Sequence, residues 1–87
     1  MNYQDIRADA LPLLLAEPDL LVLDFRGPAS FAQDHLDGAQ PASDALLKAL
    51  MKDRQRNRPV LVYCYRGNSS RDLCQFIAGF GYSRVYN

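Results

Sequence analysis

The sequence shows no excess of charge of either sign: ten Lys and Arg balance ten Asp and Glu, and the single histidine adds nothing at neutral pH. With a pI near 6.5, the chain lacks the basic footprint by which proteins bind nucleic acid or an anionic membrane surface. Cysteine and histidine are equally sparse. Two cysteines and one histidine cannot between them supply the four ligands of a structural zinc site, so no metal is expected. No uncharged run approaches the roughly 20 residues of a membrane span, and the opening MNYQDIRADA carries Asp5 and Asp9 where a signal peptide would carry an apolar stretch. The chain therefore reads as cytoplasmic, a compartment in which two cysteines are more often thiols than a disulfide. Internal repeats and low-complexity segments are absent too.

What is present fits one compact domain over residues 1–87. The 87 residues, 48% of them hydrophobic and 23% charged, suit an ordinary globular domain with a thin core, because a chain this short buries only about 60 to 65% of its extended surface. Leu11, Leu14 and Leu15 fall at helical spacing between Ile6 and Ala16, with Pro12 placing the helix start near Asp9. The apolar run Leu20 to Asp24 predicts a strand buried on both faces, and Pro28 opens a helix from Ala29 to Asp34. Ser43 is a suitable N-cap for a helix over Asp44 to Lys52. The RQRNRP segment reads as a solvated basic turn. Val60 to Cys64 is a second buried strand, Tyr65 to Ser69 a loop, Ser70 to Ala78 a helix closed by Gly79 and Gly81, and a short strand follows near Val85. Strands alternating with helices predict an α/β architecture built on a mainly parallel sheet flanked by helices.

The stretch that carries chemistry is Pro59 to Arg71, PVLVYCYRGNSSR. Here a cysteine ends a buried strand and a short polar loop leads into a helix, the place where α/β proteins set reactive groups. Bringing a thiol from about 8.5 to about 6.5 requires roughly 2.7 kcal/mol, of which a helix N-terminus usually supplies about 0.3 to 1. Backbone N–H groups curled toward Sγ would close the gap, each hydrogen bond to a charged group contributing about 1.5 to 3 kcal/mol. Gly67 and Asn68 are the residues best able to take the positive φ of such a cradle, and Arg66 and Arg71 add positive charge. Cys64 is thus a candidate nucleophile in an anion-binding loop. Cys74, spaced with Leu73 and Ile77 on the following helix, reads instead as a small core residue.

These blocks resemble a rhodanese-like domain, and most closely the short single-domain bacterial thiosulfate sulfurtransferases. Leu21-Val22-Leu23-Asp24-Phe25-Arg26, then Ser30-Phe31 and Asp34-His35-Leu36-Asp37-Gly38-Ala39, are similar to the family's opening signatures. Cys64-Tyr65-Arg66-Gly67-Asn68-Ser69-Ser70 resembles its active-site loop, and Gly81-Tyr82 to Val85-Tyr86 the segment beyond. The resemblance implies a three-layer fold and a two-step transfer. Cys64 takes the outer sulfur of thiosulfate as a persulfide, and a thiophilic acceptor, cyanide or a dithiol protein, removes it. Tyr65, Arg66, Gly67, Asn68, Ser69 and Ser70 would bind the substrate, Arg66 drawing in the dianion. It implies no cofactor, an ion-paired structural role for Asp24 and Arg26, and a structural turn at His35. Two departures stand out: Asp34 replaces a glycine common before that histidine, and the glycine pair and C-terminal helix with which the family usually continues are absent after Asn87, an absence expected to expose apolar surface.

Two other functional classes share the cysteine loop. One is a non-catalytic or persulfide-carrier module working with a partner protein. The other is a cysteine phosphatase, whose loop has the form C-x5-R. In this chain Ser70 stands where that arginine would be, and Arg71, one helical step of about 100° further on, is expected to point away from the ligand. The sequence leaves the oligomeric state and the physiological donor and acceptor open.

Overall fold

In the computed structural model, which describes residues 3–65 and 68–87, strands and helices alternate along the chain. The strands are β1 (Tyr3–Gln4), β2 (Leu21–Asp24), β3 (Gln40–Pro41), β4 (Val60–Tyr63) and β5 (Val85–Tyr86). The helices are α1 (Leu11–Leu15), α2 (Pro28–Gln33), α3 (Asp44–Lys52) and α4 (Asn68–Gly79), with a 3-10 turn at Ala8–Ala10 ahead of α1. Among the described residues the five strands form one sheet in the order β1-β5-β4-β2-β3, and every pairing is parallel. The expected α/β class with a parallel sheet flanked by helices is borne out.

Side-chain alternation divides the core between the two faces of the sheet. Leu21 and Leu23 of β2, Val60 and Val62 of β4, and Val85 of β5 face α3 and α4, whose Leu50, Leu73, Cys74 and Ile77 pack on them together with Tyr82 from the segment after α4. Val22 and Leu61 take the opposite face with Leu14, Ala39 and the partly buried Phe31, Leu36 and Tyr63. Both middle strands are therefore buried on two sides, which is why they read as uninterrupted apolar runs.

Several boundaries differ from the sequence expectation by a residue or two, as fraying ends and competing caps make usual. Pro12 lies in the first turn of α1, so the preceding turn tightens to 3-10 geometry instead of joining the α-helix. β2 begins at Leu21 and β4 ends at Tyr63, leaving Cys64 just beyond its strand. Helix α4 starts at Asn68, not Ser70, so Asn68 and Ser69 belong to its first turn and not to the loop. Ser43 caps α3 as expected, its Oγ accepting from Leu46 N at 3.2 Å. Gly27 precedes α2 with φ 107°, a backbone conformation that L side chains rarely adopt.

The basic run after α3 is more than a solvated turn. Arg56 donates to the carbonyls of Met51 (3.1 Å), Asp53 (3.0 Å) and Phe80, and Arg58 to that of Asp19 (3.1 Å). One guanidinium thus satisfies carbonyls left over at the C-terminal ends of both α3 and α4. Two short edge strands, β1 and β3, went unseen in the sequence because two-residue ladders leave no periodicity to read. Leu13 and Phe76 are exposed on the surface.

Candidate functional site

Two polar networks meet at the C-terminal ends of β2 and β4, on opposite sides of the sheet. On the α2 side the buried Asp24 receives Arg26 Nη2 at 2.8 Å, Arg26 Nε at 3.1 Å and the Arg26 backbone N–H at 2.9 Å. The Tyr63 hydroxyl donates to the same carboxylate at 2.8 Å and accepts from Leu36 N at 3.2 Å. Burial alone would raise the Asp24 pKa, but the hydrogen bonds from Arg26 and Tyr63 outweigh it and hold the carboxyl below the usual range. Burial also pushes the Tyr63 phenol up, and the Asp24 carboxylate adds to it. This geometry matches the ion-paired arrangement that the resemblance implied for Asp24 and Arg26.

The same network explains Asp34. Its φ of −163° is extended backbone open to any residue, and its carbonyl accepts from Arg26 Nη2, so the turn needs no glycine there. His35 is exposed, bonded through Nδ1 to the Phe31 carbonyl at 2.8 Å and stacked on the Phe31 ring at 3.9 Å. It lies with Arg26, Asp34, Leu36 and Tyr63 around a separate depression.

On the α4 side, Cys64 follows Val60 and Val62 in the strand's alternation and borders an open pocket of about 330 Å³ lined by Asp5, Ile6, Val62, Tyr63, Cys64, Ser70, Arg71 and Asn87. Only four residues of chain separate β4 from α4, so the helix's first turn is delivered directly to the cysteine. The Ser70 N–H, one of the orphan donors of that turn, points at Cys64 Sγ at 3.4 Å. The Cys64 thiol in turn donates to Ser70 Oγ at 3.3 Å. Ser70 is fully buried, and its hydroxyl donates onward to Asn87 Oδ1. Cys74 sits buried in the core with its thiol toward the Tyr86 carbonyl at 3.5 Å; burial first, then the Asp5 carboxylate and Cys64, push its pKa up to about 12. A thiol in that state is inert as a nucleophile near neutral pH.

Of the residues expected to bind substrate, Ser70 is the one whose described side chain meets Cys64. Tyr65 is exposed, its hydroxyl bonded to Ser30 and its ring 5.8 Å from the Arg26 guanidinium, on the rim toward α2. Ser69 is exposed on the first turn of α4. Asn68 contributes helical backbone, without the positive φ expected of it. Arg66 and Gly67 lie outside the described residues. Arg71, expected from helical rotation to point away from the ligand, is among the residues that line the Cys64 pocket.

Asp5 and Asn87 were not singled out in the sequence. Nothing local marks them; they arrive beside the cysteine because β1 and β5 are neighbours, Asn87 N donating to the Gln4 carbonyl at 2.9 Å and Ile6 N to the Asn87 carbonyl at 3.2 Å. Among the described residues no cluster of His, Cys, Asp or Glu could hold a metal ion. No described helix is long and apolar enough to cross a membrane.

The family model described as the rhodanese-like domain matches residues 7–87, nearly the whole chain, and the chain belongs to that family.

Proposed function

We propose that this rhodanese-like domain is a sulfurtransferase that moves sulfane sulfur from thiosulfate through a persulfide on Cys64 to a thiophilic acceptor. The observation that carries the reading is the placement of Cys64 Sγ, in an open pocket, against a first-turn N–H of α4. The Cys64 thiolate attacks the outer sulfur of thiosulfate; a new S–S bond forms as the old one breaks, sulfite leaves with the electron pair, and the sulfur remains as the persulfide anion. An acceptor such as cyanide or a thiolate then takes the outer sulfur and returns Cys64 as thiolate. Total charge is conserved in each step, and no cofactor is called for.

The chain's groups divide the work. The Ser70 N–H stabilises negative charge on Sγ, as an oxyanion hole does for oxygen. Arg71 supplies a cation at the mouth for a dianionic donor, a role the sequence reading gave to Arg66. The test is intact-mass spectrometry after incubation with thiosulfate: one added sulfur, lost on adding cyanide and absent in Cys64→Ser. Protein that gains no sulfur under these conditions overturns thiosulfate as the donor.

A second reading, phosphate-ester hydrolysis, is favoured by one observation, that Arg71 is among the residues lining the pocket. Against it stands the spacing. A C-x5-R loop ends in a guanidinium that grips two phosphate oxygens, whereas the sixth position after Cys64 is Ser70, buried and with its hydroxyl bonded to Asn87. Losing that bidentate contact costs about a thousandfold in rate, so Cys64-dependent turnover of aryl phosphates is expected to be negligible.

A further inference from the structure

The Cys64 pocket contains a chain of hydrogen bonds whose direction is set from its far end. Asn87 Nδ2 donates to Asp5 Oδ1 at 2.9 Å. A carboxylate only accepts, so Asp5 fixes which way the Asn87 amide is turned: nitrogen to Asp5, oxygen to Ser70. The amide oxygen also only accepts, and therefore takes the single proton of the Ser70 hydroxyl. With that proton committed, Ser70 Oγ presents lone pairs to Cys64, the arrangement in which the thiol donates to it at 3.3 Å. Cys64 thus meets two opposed influences from one residue. The Ser70 backbone N–H favours the thiolate, and the Ser70 hydroxyl, as oriented, favours the thiol.

We infer that Asp5 and Asn87 are positioning residues for Cys64, which act through the Ser70 hydroxyl to hold the resting cysteine in its protonated form and so limit how much thiolate is present before a sulfur donor arrives. The inference rests on Cys64 as the reactive thiol of the proposed transfer. The backbone supports it: Asn87 is held by the β1–β5 pairing on both its N–H and its carbonyl, so its amide is delivered to one place. Forming the thiolate requires the Ser70 hydroxyl to turn from Asn87 to Sγ or to leave a lone pair facing the negative sulfur. Among the described residues, the titratable or charged groups around the same pocket are Asp5 from the segment after β1, Tyr63 at the end of β4 and Arg71 from the first turn of α4, with Cys74 behind on α4. Arg71 favours the thiolate and Asp5 opposes it through space, so charge and hydrogen-bond direction must be separated experimentally.

The experiment is the pH profile of Cys64 alkylation by iodoacetamide, read by mass spectrometry in a Cys74→Ala background and compared among Asn87→Ala, Ser70→Ala, the double variant and Asp5→Asn. Asn87→Ala leaves every charge in place and frees the Ser70 proton for Sγ. It should move the midpoint down by about one pH unit, a tenfold faster alkylation at pH values below the midpoint. In the Ser70→Ala background the same substitution should do nothing, since there is no hydroxyl left to turn. Asp5→Asn should also lower the midpoint, with a part that persists in high salt, where a purely coulombic effect between exposed groups is screened. An Asn87→Ala profile superimposable on the parent overturns the inference, and so does a shift of equal size with and without Ser70. If Asn87→Ala fails to fold by circular dichroism, Asp5→Asn with and without Ser70 decides the matter by the same rule. Alkylation needs no sulfur donor, so parent protein that takes no sulfur from thiosulfate while showing these shifts would overturn thiosulfate as the donor and leave the relay standing.

Discussion

Removing the Asp24 carboxylate should cost this protein a large share of its stability while leaving the chemistry at Cys64 intact in whatever remains folded. In Asp24→Ala, a guanidinium whose side chain is only 15% exposed loses its contacts through Nη2 and Nε, the Arg26 backbone N–H loses its partner, and the Tyr63 hydroxyl loses its acceptor. Breaking one side of a buried pair typically costs about 3 to 5 kcal/mol. The low end applies, because Arg26 keeps the carbonyls of Ser30 and Asp34 and the exposed Asp34 carboxylate at 3.5 Å. A chain of 87 residues has a total stability of about 4 to 13 kcal/mol. A loss of about 3 kcal/mol corresponds to a fall in melting temperature of roughly 12 to 24 °C.

Differential scanning calorimetry and urea unfolding measure this directly. The uptake of sulfur from thiosulfate, assayed at a temperature well below the variant's transition, gives the second readout. A fall of less than about 4 °C would reduce the pair to the standing of a surface salt bridge and refute the argument. Unchanged melting with lost sulfur uptake would make Asp24 part of the chemistry, contrary to its position on the α2 face of the sheet.

Three further outcomes follow from the geometry. Cys64→Ser should abolish sulfur uptake without destabilising the fold, whereas Cys74→Ser should retain most activity, measured by intact mass and by a cyanide-coupled assay; equal loss in both would indicate a dithiol mechanism. Arg71→Ala should raise the KM for thiosulfate more than it lowers turnover, since a cation at the pocket mouth acts on dianion binding, and an unchanged KM would leave Arg71 as solvated surface. The folded-state pKa of Asp24 lies below its unfolded value, so its contribution is complete above the ordinary carboxylate range near 4 and is lost as the pH falls through the lowered value; urea titrations from pH 6 to pH 2 should show a steeper acid loss in the parent than in Asp24→Asn.

The parts of this molecule legible in the sequence are those that a local pattern encodes. Continuous apolar runs announce β2 and β4, Ser43 announces α3, and a cysteine between a strand and a polar loop announces the pocket. What the sequence hides is whatever parallel pairing brings together from afar. Asp5 and Asn87 are 82 residues apart and meet each other, beside Ser70, only because β1 and β5 lie side by side. Arg56 likewise reads as one charge in a basic turn until α3 and α4 present their last carbonyls to it.

Tyr63 and Cys64 are consecutive residues with opposite duties, and strand alternation is what keeps the duties apart. Tyr63 shares the face of Leu61 and turns its hydroxyl to Asp24 and Leu36. Cys64 continues the face of Val60 and Val62 and meets α4 through Ser70. Tyr63→Phe removes one hydrogen bond to a charged acceptor and leaves the Leu36 N–H without its hydroxyl partner, a cost of about 1.5 to 3 kcal/mol and a fall in melting temperature of about 6 °C or more. The ring itself, which fills the α2 side of the core, stays in place. The described hydrogen bonds at Sγ are with Ser70, and the phenol is bonded on the other face, so alkylation of Cys64 in Tyr63→Phe should proceed within about twofold of the parent rate at temperatures well below both transitions. Tenfold slower alkylation in a folded Tyr63→Phe protein would show that the two faces act as one network, and the separation of stability from reactivity along this strand would have to be abandoned.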